Sequence, residues 1–267
     1  MMSRWALLLL VPLLALAACG DGSTGDVVED STIRDVPTLA VNDVAPFGSP
    51  APVDTRPVWE GFAATNTDPG ALTAIVHGPL EVFATPGAIE PMLVVEPETI
   101  LGTVTVLGVA TAPVNGWVEL MLPVRPNGTT GWARADHLSY YVADGLIVVD
   151  LDARELTYLV DGVEVLSTEV GVGSRHNETP PGEYFVTDVV TMSNPDSPWG
   201  PHALGLSARS ETITEFNGGD GIIGIHGTNN PSSIGANISL GCIRLPNEMI
   251  TALHGMVAIG TRVVIEA

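Results

Sequence analysis

The 267-residue chain contains no lysine. Its ten basic side chains are all arginine, against 31 acids, for a formal charge of -21 at pH 7. Nucleic-acid binding needs clustered Lys or Arg against phosphates, so that class of partner is excluded. Charged residues make up only 15% of the chain, so the acidity reflects missing bases rather than an excess of carboxylates. Cysteine is nearly as scarce, with Cys19 and Cys242 alone. Two thiols rule out a disulfide-stapled scaffold and any cysteine-rich zinc or iron–sulfur site. The scattered histidines have no ligand spacing with the acids, so no metal and no cofactor are expected. Gly218-Gly219-Asp220-Gly221 lacks the Lys and the helix of a phosphate loop and reads as a turn. What is abundant is apolar: 45% hydrophobic residues, enough for one large or two small cores.

The N-terminus reads as a targeting segment. Arg4 precedes an apolar run from Trp5 to Ala17, the length of a signal-peptide core and too short to span a bilayer. Leu16-Ala17-Ala18-Cys19 resembles a bacterial lipobox, which implies a signal over 1–18, cleavage before Cys19 and a diacylglycerol on its sulfur. An ordinary secretory peptide or an uncleaved anchor is the alternative. Residues 19–70 are acidic and rich in Gly, Pro, Ser and Thr. They read as a tether, or else as an irregular extension packed on the first folded unit. The expected protein is anchored through Cys19 to the outside of the cell membrane, facing the wall.

Two β-rich units come after the tether. Over 71–140, short β-branched and aromatic runs at Leu72–Val76, Glu81–Phe83, Thr103–Leu107 and Gly116–Leu122 read as strands, with an Asn127-Gly128 turn before another. This pattern suggests a small β-barrel, and Trp117 with Gly131-Trp132 loosely resembles bacterial SH3-like modules, which serve as wall binders or as spacers. Over 145–267, strands are expected at Leu146–Leu151, Glu155–Val160, Val163–Leu166, Gly182–Val190, Ile222–His226 and Arg262–Ile265, with a tight Asp161-Gly162 turn. Pro246 to about His254 is the single expected helix, with Gly255 beyond its end. The fold class is therefore all-β.

The chemistry concentrates in Ile225-His226-Gly227-Thr228 and Ser239-Leu240-Gly241-Cys242-Ile243-Arg244-Leu245. These segments, with Thr179-Pro180-Pro181-Gly182-Glu183-Tyr184 and Ala203-Leu204-Gly205-Leu206-Ser207, resemble the L,D-transpeptidases with a YkuD-type catalytic domain. The resemblance covers about Gly145 to Ile265. It implies a β-sandwich catalytic domain, Cys242 as nucleophile, His226 as base and peptidoglycan stem peptides as donor and acceptor. The second histidine of the family motif is replaced by Leu240, which bears on substrate contacts beside Cys242.

The residues support that chemistry independently. A thiol is a good acyl acceptor only as thiolate, and an imidazole supplies the proton sink. His226 and Cys242 stand 16 residues apart and must meet through the fold. A buried apolar cysteine is the competing reading of Cys242. Gly241 leaves the sulfur uncrowded, and its N–H with that of Cys242 could hold an oxyanion. Ser239 and the backbone of Gly227 or Thr228 are candidates to orient the imidazole. Arg244 could grip a substrate carboxylate bidentately or sit in a structural ion pair. His202 and Trp199 lie in a Pro/Gly-rich segment that reads as a surface loop or a cleft lid. The expected activity is transfer of a stem peptide through a Cys242 thioester to a third-residue cross-link, by a monomer. Hydrolysis of that thioester, an L,D-carboxypeptidase activity, is the enzymatic alternative, and an inactive wall-binding lipoprotein the other.

Overall fold

The computed structural model describes residues 71–215 and 219–267. The expected signal, the expected lipidation site at Cys19 and the expected tether lie outside the described residues.

The first unit is built from antiparallel strands β1 (Leu72–Val76), β2 (Leu80–Val82), β3 (Leu93–Val95), β4 (Val106–Val114), β5 (Trp117–Met121), β6 (Thr130–Arg134) and β7 (Leu138–Val142). Five of them form a sheet in the order β6-β5-β4-β1-β7, and β2 and β3 pair with each other. Period-two burial sets the faces: in β5, Val118 and Leu120 are buried and their neighbours are not. Asn115 and Gly116 both take positive φ, the geometry of a tight hairpin turn. The expected strand from Gly116 therefore starts one residue later. The expected strand from Thr103 starts only at Val106, because Thr103 belongs to a loop whose hydroxyls bond Asp188. Gly131 is small for a reason: a Cβ there would collide with Val82 of β2. That close approach lets Phe83 and Trp132 exchange two 2.8 Å backbone bonds, which tie the β2–β3 pair to β6.

The second unit contains β8 (Gly145–Asp150), β9 (Glu155–Val160), β10 (Val163–Glu169), β11 (Val172–Gly173), β12 (Gly182–Thr191), β13 (His202–Arg209), β14 (Ile222–His226), β15 (Asn237–Ser239), β16 (Ile243–Arg244) and β17 (Arg262–Glu266). Eight of these form one mixed sheet, β10-β9-β8-β17-β12-β13-β14-β16. Strand β12 joins its halves. Gly182–Phe185 pair with β17, the register shifts between Val186 and Asp188, and the rest of β12 pairs with β13. The two halves enclose a core that includes Ile147, Leu156, Val186, Leu204, Ile225, Ile243 and Val263. Helix α1 (Asn247–His254) adds Ile250 and Leu253 to that core. It is the only α-helix among the described residues, and Pro246 stands just before it as its cap rather than in its first turn.

The units share side chains. Phe185 of β12, 1% exposed, belongs to the first unit's core with Leu107, Val118 and Leu120. Burying a Phe contributes about 1.5–3 kcal/mol. Asp188 of β12 is also buried, and its Oδ1 accepts from Thr103 Oγ1 at 2.5 Å and Thr99 Oγ1 at 2.7 Å. Tyr141 Oη donates to Ile259 O at 2.5 Å. The units are joined by core packing and by polar contacts, not by a linker alone.

Candidate active site

His226 ends β14, which is flanked by β13 and β16. Its register partners are Ala203 on the antiparallel side and Arg244 on the parallel side. Ile225 pairs with Ile243, and both are fully buried in the core. Alternation along a strand then puts His226 and Arg244 on the other face. Cys242 immediately precedes β16. One more step of the same register sets it opposite Gly224, two residues before His226 and on His226's side. Neighbouring strands lie about 4.8 Å apart and two residues add about 6.6 Å, so the Cα atoms sit roughly 8 Å apart, within reach of a side-chain encounter.

The imidazole of His226 is 0% exposed. Its Nδ1 lies 2.6 Å from Gly227 O, and because a carbonyl only accepts, Nδ1 carries the proton. In the neutral tautomer this leaves the lone pair at Nε2, which has no hydrogen-bond partner among the described residues. Trp199 covers the ring with centroids 4.5 Å apart and planes at 50°. The turn that carries Trp199 is packed down: at Gly200, φ is +65°, and a Cβ would collide with Gly227. This segment is a wall of the site.

Cys242 is 5% exposed and lines a cleft with Trp199, Ser210, Ile213, Ile223 and Leu240. Its loop is held by Ser239, whose Oγ accepts from Gly241 N–H at 3.1 Å and donates to Cys242 O at 2.5 Å. Ser239 thus shapes the turn at Cys242 and leaves the imidazole to Gly227. The same bond commits the Gly241 N–H, which the sequence offered as an oxyanion donor. What Gly241 supplies is conformation: φ is +115°, and a Cβ would meet Ile223 Cδ1 at 2.8 Å, a backbone state that L side chains rarely adopt. Thr179 Oγ1 donates to Gly241 O at 2.9 Å and accepts from Gly173 N–H at 2.8 Å, buttressing the loop from below.

Asn247, the first residue of α1, was not anticipated. Its Oδ1 accepts the Thr228 N–H at 2.8 Å, and a Cβ on Gly227 would collide with it. The signal was an Asn at the expected start of a helix, where such side chains satisfy exposed N–H groups. Here the N–H belongs to the histidine loop, so α1 begins beside Gly227 and Thr228. Thr228 Oγ1 also accepts from Asn230 N at 3.0 Å, and neither contact reaches the imidazole.

Arg244 is 3% exposed, and its backbone exchanges bonds of 2.7 and 2.9 Å with Gly171. His202 is not among the cleft-lining residues. It stacks on His254 with centroids 4.0 Å apart, Thr191 Oγ1 touches both rings at 3.4 and 3.3 Å, and burial holds both imidazoles below the ordinary His range. Its carbonyl accepts from Gly227 N–H at 3.2 Å, so its backbone serves the site while its ring does not. No group of three or more His, Cys, Asp or Glu among the described residues is arranged to hold a metal.

This geometry sits inside the segment that matches a known family. The YkuD L,D-transpeptidase catalytic domain matches residues 144–265. YkuD of Bacillus subtilis (strain 168), named as an L,D-transpeptidase, is 35% identical over 119 residues, 45% of this chain and 64% of that protein. YqjB of the same organism, named likewise, is 32% identical over 133 residues, 46% of this chain and 71% of that protein. An L,D-transpeptidase structure from Mycobacterium smegmatis is 22% identical and covers 71% of this chain and 100% of its own, with a TM-score of 0.38. The chain spans less than two thirds of the YkuD protein's length. Through this domain, which carries both His226 and Cys242, the chain belongs to the YkuD family of L,D-transpeptidase catalytic domains.

Proposed function

We propose that the protein is a peptidoglycan L,D-transpeptidase that works through a thioester on Cys242. The observation that carries the reading is the His226 tautomer: Nδ1–H is fixed on Gly227 O, so Nε2 is the base, on the face shared with Cys242. Nε2 takes the thiol proton, and the thiolate attacks the carbonyl carbon of the third stem residue. The bond to the terminal D-Ala nitrogen breaks, and Nε2–H returns its proton to that amine as it leaves. An acceptor amine from a neighbouring stem then attacks the thioester and gives up its proton to Nε2. A new amide forms, and the proton passes to the departing sulfur. Gly241's backbone conformation and Trp199 shape the approach, and Arg244 is the candidate for a substrate carboxylate, with His202 contributing only backbone.

The lipobox reading completes the proposal: Cys19 carries the lipid, and the chain faces the wall from the outer side of the membrane. Two or more acyl chains give firm attachment where a single one is marginal. Loss of radiolabelled lipid incorporation in Cys19→Ala would support the anchor, and unchanged incorporation would refute it.

Purified tetrapeptide-bearing muropeptides test the reaction. Cross-linked dimers with released D-Ala are the expected products, absent with Cys242→Ala. D-Ala release without dimers would assign the protein as an L,D-carboxypeptidase, with water resolving the same thioester. Turnover that survives Cys242→Ala would overturn the mechanism.

A further inference from the structure

The cleft beside Cys242 is lined by residues of the second unit, but part of that lining is braced from the first unit. Between β13 and β14 the chain leaves the sheet at Arg209 and returns at Ile222, and Ser210, Ile213 and Gly221 from this excursion line the cleft. Its two ends are pinned together by Ser210 N–H donating to Gly221 O at 2.8 Å.

Within the second unit, Arg209 Nε also pairs with Asp220 at 3.1 Å and Thr212 Oγ1 donates to Asn177 Oδ1 at 3.0 Å. Further support comes from the loop between β5 and β6 of the first unit. Arg125 Nε donates to Ser210 O at 3.0 Å, and Nη2 donates to Ile213 O at 3.2 Å and Asp220 O at 2.9 Å. Nη1 pairs with the Asp220 carboxylate. A guanidinium offers five donors in a rigid fork, and this one grips both arms of the excursion. Asn127 completes the hold. Its Nδ2 donates to Arg209 O at 2.8 Å, and its Oδ1 accepts Arg209 N–H at 2.9 Å, so its amide pairs with the last residue of β13 as a neighbouring strand would. At Gly221, φ is +56°, and a Cβ would stand 2.8 Å from Arg125 Nη2. The fit leaves no room for a side chain.

We infer that Arg125 and Asn127 are positioning residues for the acyl donor, and that the first unit is a structural part of the cleft beside Cys242. The inference rests on the reading of Cys242 as nucleophile. It gives the first unit a role that neither a spacer nor a wall-binding module would have. An ångström of displacement in a cleft wall can cost about a hundredfold in rate when substrate must be held for attack. Two side chains from another unit hold this wall at Arg209, Ser210, Ile213 and Asp220.

The test uses the full-length protein with Arg125→Ala, Arg125→Lys and Asn127→Ala. Arg134→Ala serves as a control, since its exposed pair with Asp136 lies within the first unit. Three quantities are read: the donor-concentration dependence of D-Ala release, the rate at which iodoacetamide alkylates Cys242, and amide exchange at Ser210–Ile213 and Gly221–Ile223. In Arg125→Ala we expect KM for the donor to rise about tenfold or more. Alkylation should stay within about twofold of wild type, with the same pH profile of turnover, while exchange at those amides accelerates. Arg125→Lys keeps the charge opposite Asp220 without the fork and should fall between. If Arg125→Ala does not fold, Arg125→Lys and Asn127→Ala carry the test. Folded variants with wild-type KM and wild-type exchange would overturn the inference. A wild-type protein that releases no D-Ala would instead overturn the proposed function, and the exchange data would still decide whether Arg125 holds the wall.

Discussion

His226 donates its Nδ1 proton across 2.6 Å to the carbonyl of Gly227, the residue that comes next in the chain. In many nucleophile–base pairs the orienting acceptor is a carboxylate from elsewhere in the fold. Here a backbone carbonyl accepts from Nδ1, and the conformation of one loop decides which nitrogen is left with the lone pair. That loop is held by His202 O on the Gly227 N–H and by Asn247 on the Thr228 N–H. His226, its loop and the helix start are one assembly.

Asn247→Ala should therefore impair catalysis more than stability. Losing one hydrogen bond to Thr228 N–H costs about 1 kcal/mol by urea denaturation. Loosening the carbonyl that orients His226 should slow donor acylation about tenfold. Asn247→Asp keeps an acceptor oxygen in place and should recover most of the rate. Equal rates for wild type and Asn247→Ala would detach this residue from the site.

Gly241→Ala adds a Cβ at φ +115° against Ile223 Cδ1. Strain of this kind costs about 1–3 kcal/mol, measurable as a lower urea midpoint. Because the strained peptide adjoins Cys242, iodoacetamide alkylation of the thiol should change as well. An unchanged midpoint would mean that the loop relaxes freely.

The contact between the units has its own test. Thr99→Val with Thr103→Val removes both hydroxyl donors from the buried Asp188 Oδ1. Stranding a buried carboxylate oxygen should cost about 2–3 kcal/mol, read by chemical denaturation. A loss below about 0.5 kcal/mol would show that water takes over the site.

Burial lowers the affinity of His202 and His254 for protons in the folded state, and each ring also faces the other. Above the ordinary His value of 6.5 both rings are neutral, folded or unfolded, and contribute no pH dependence. Below it the unfolded chain binds protons more readily, so stability falls as pH falls. The thermal midpoint should drop between about pH 7 and about pH 5, and the drop should be smaller in His254→Gln. Identical drops in the two proteins would exclude the pair as a source.

Much of this was legible in the sequence, and the illegible parts share a cause. His226 and Cys242 announced themselves through short motifs whose neighbours are glycines and a serine, and the structure gives those neighbours geometric roles. The Asp161-Gly162 turn, with both residues at positive φ, and the helix to His254 came from local chemistry. Strand β13 was missed because Ala203-Leu204-Gly205-Leu206 is poor in β-branched residues. A Cβ on Gly205 would sit 3.2 Å from Asp188 and Thr187, a tight fit. Nothing local marks Phe185 as part of another unit's core, or Arg125 as a brace for the cleft. Those roles arise from contacts between residues 60 or more apart, and period and composition do not encode such contacts. Ser239 looked like a partner for the imidazole because it lies in the motif. Its hydroxyl instead bonds Gly241 and Cys242, which a sequence cannot distinguish.

The central claim is that Cys242 forms an acyl-enzyme with His226 as its base, and intact mass spectrometry after carbapenem treatment tests it most directly. Carbapenems acylate the nucleophile of the family that this sequence resembles. The folded wild-type protein should gain one adduct mapping to Cys242. Cys242→Ala should gain none, and His226→Ala should react at least about a hundredfold more slowly. An adduct that survives Cys242→Ala, or no adduct on folded wild-type protein, would contradict it.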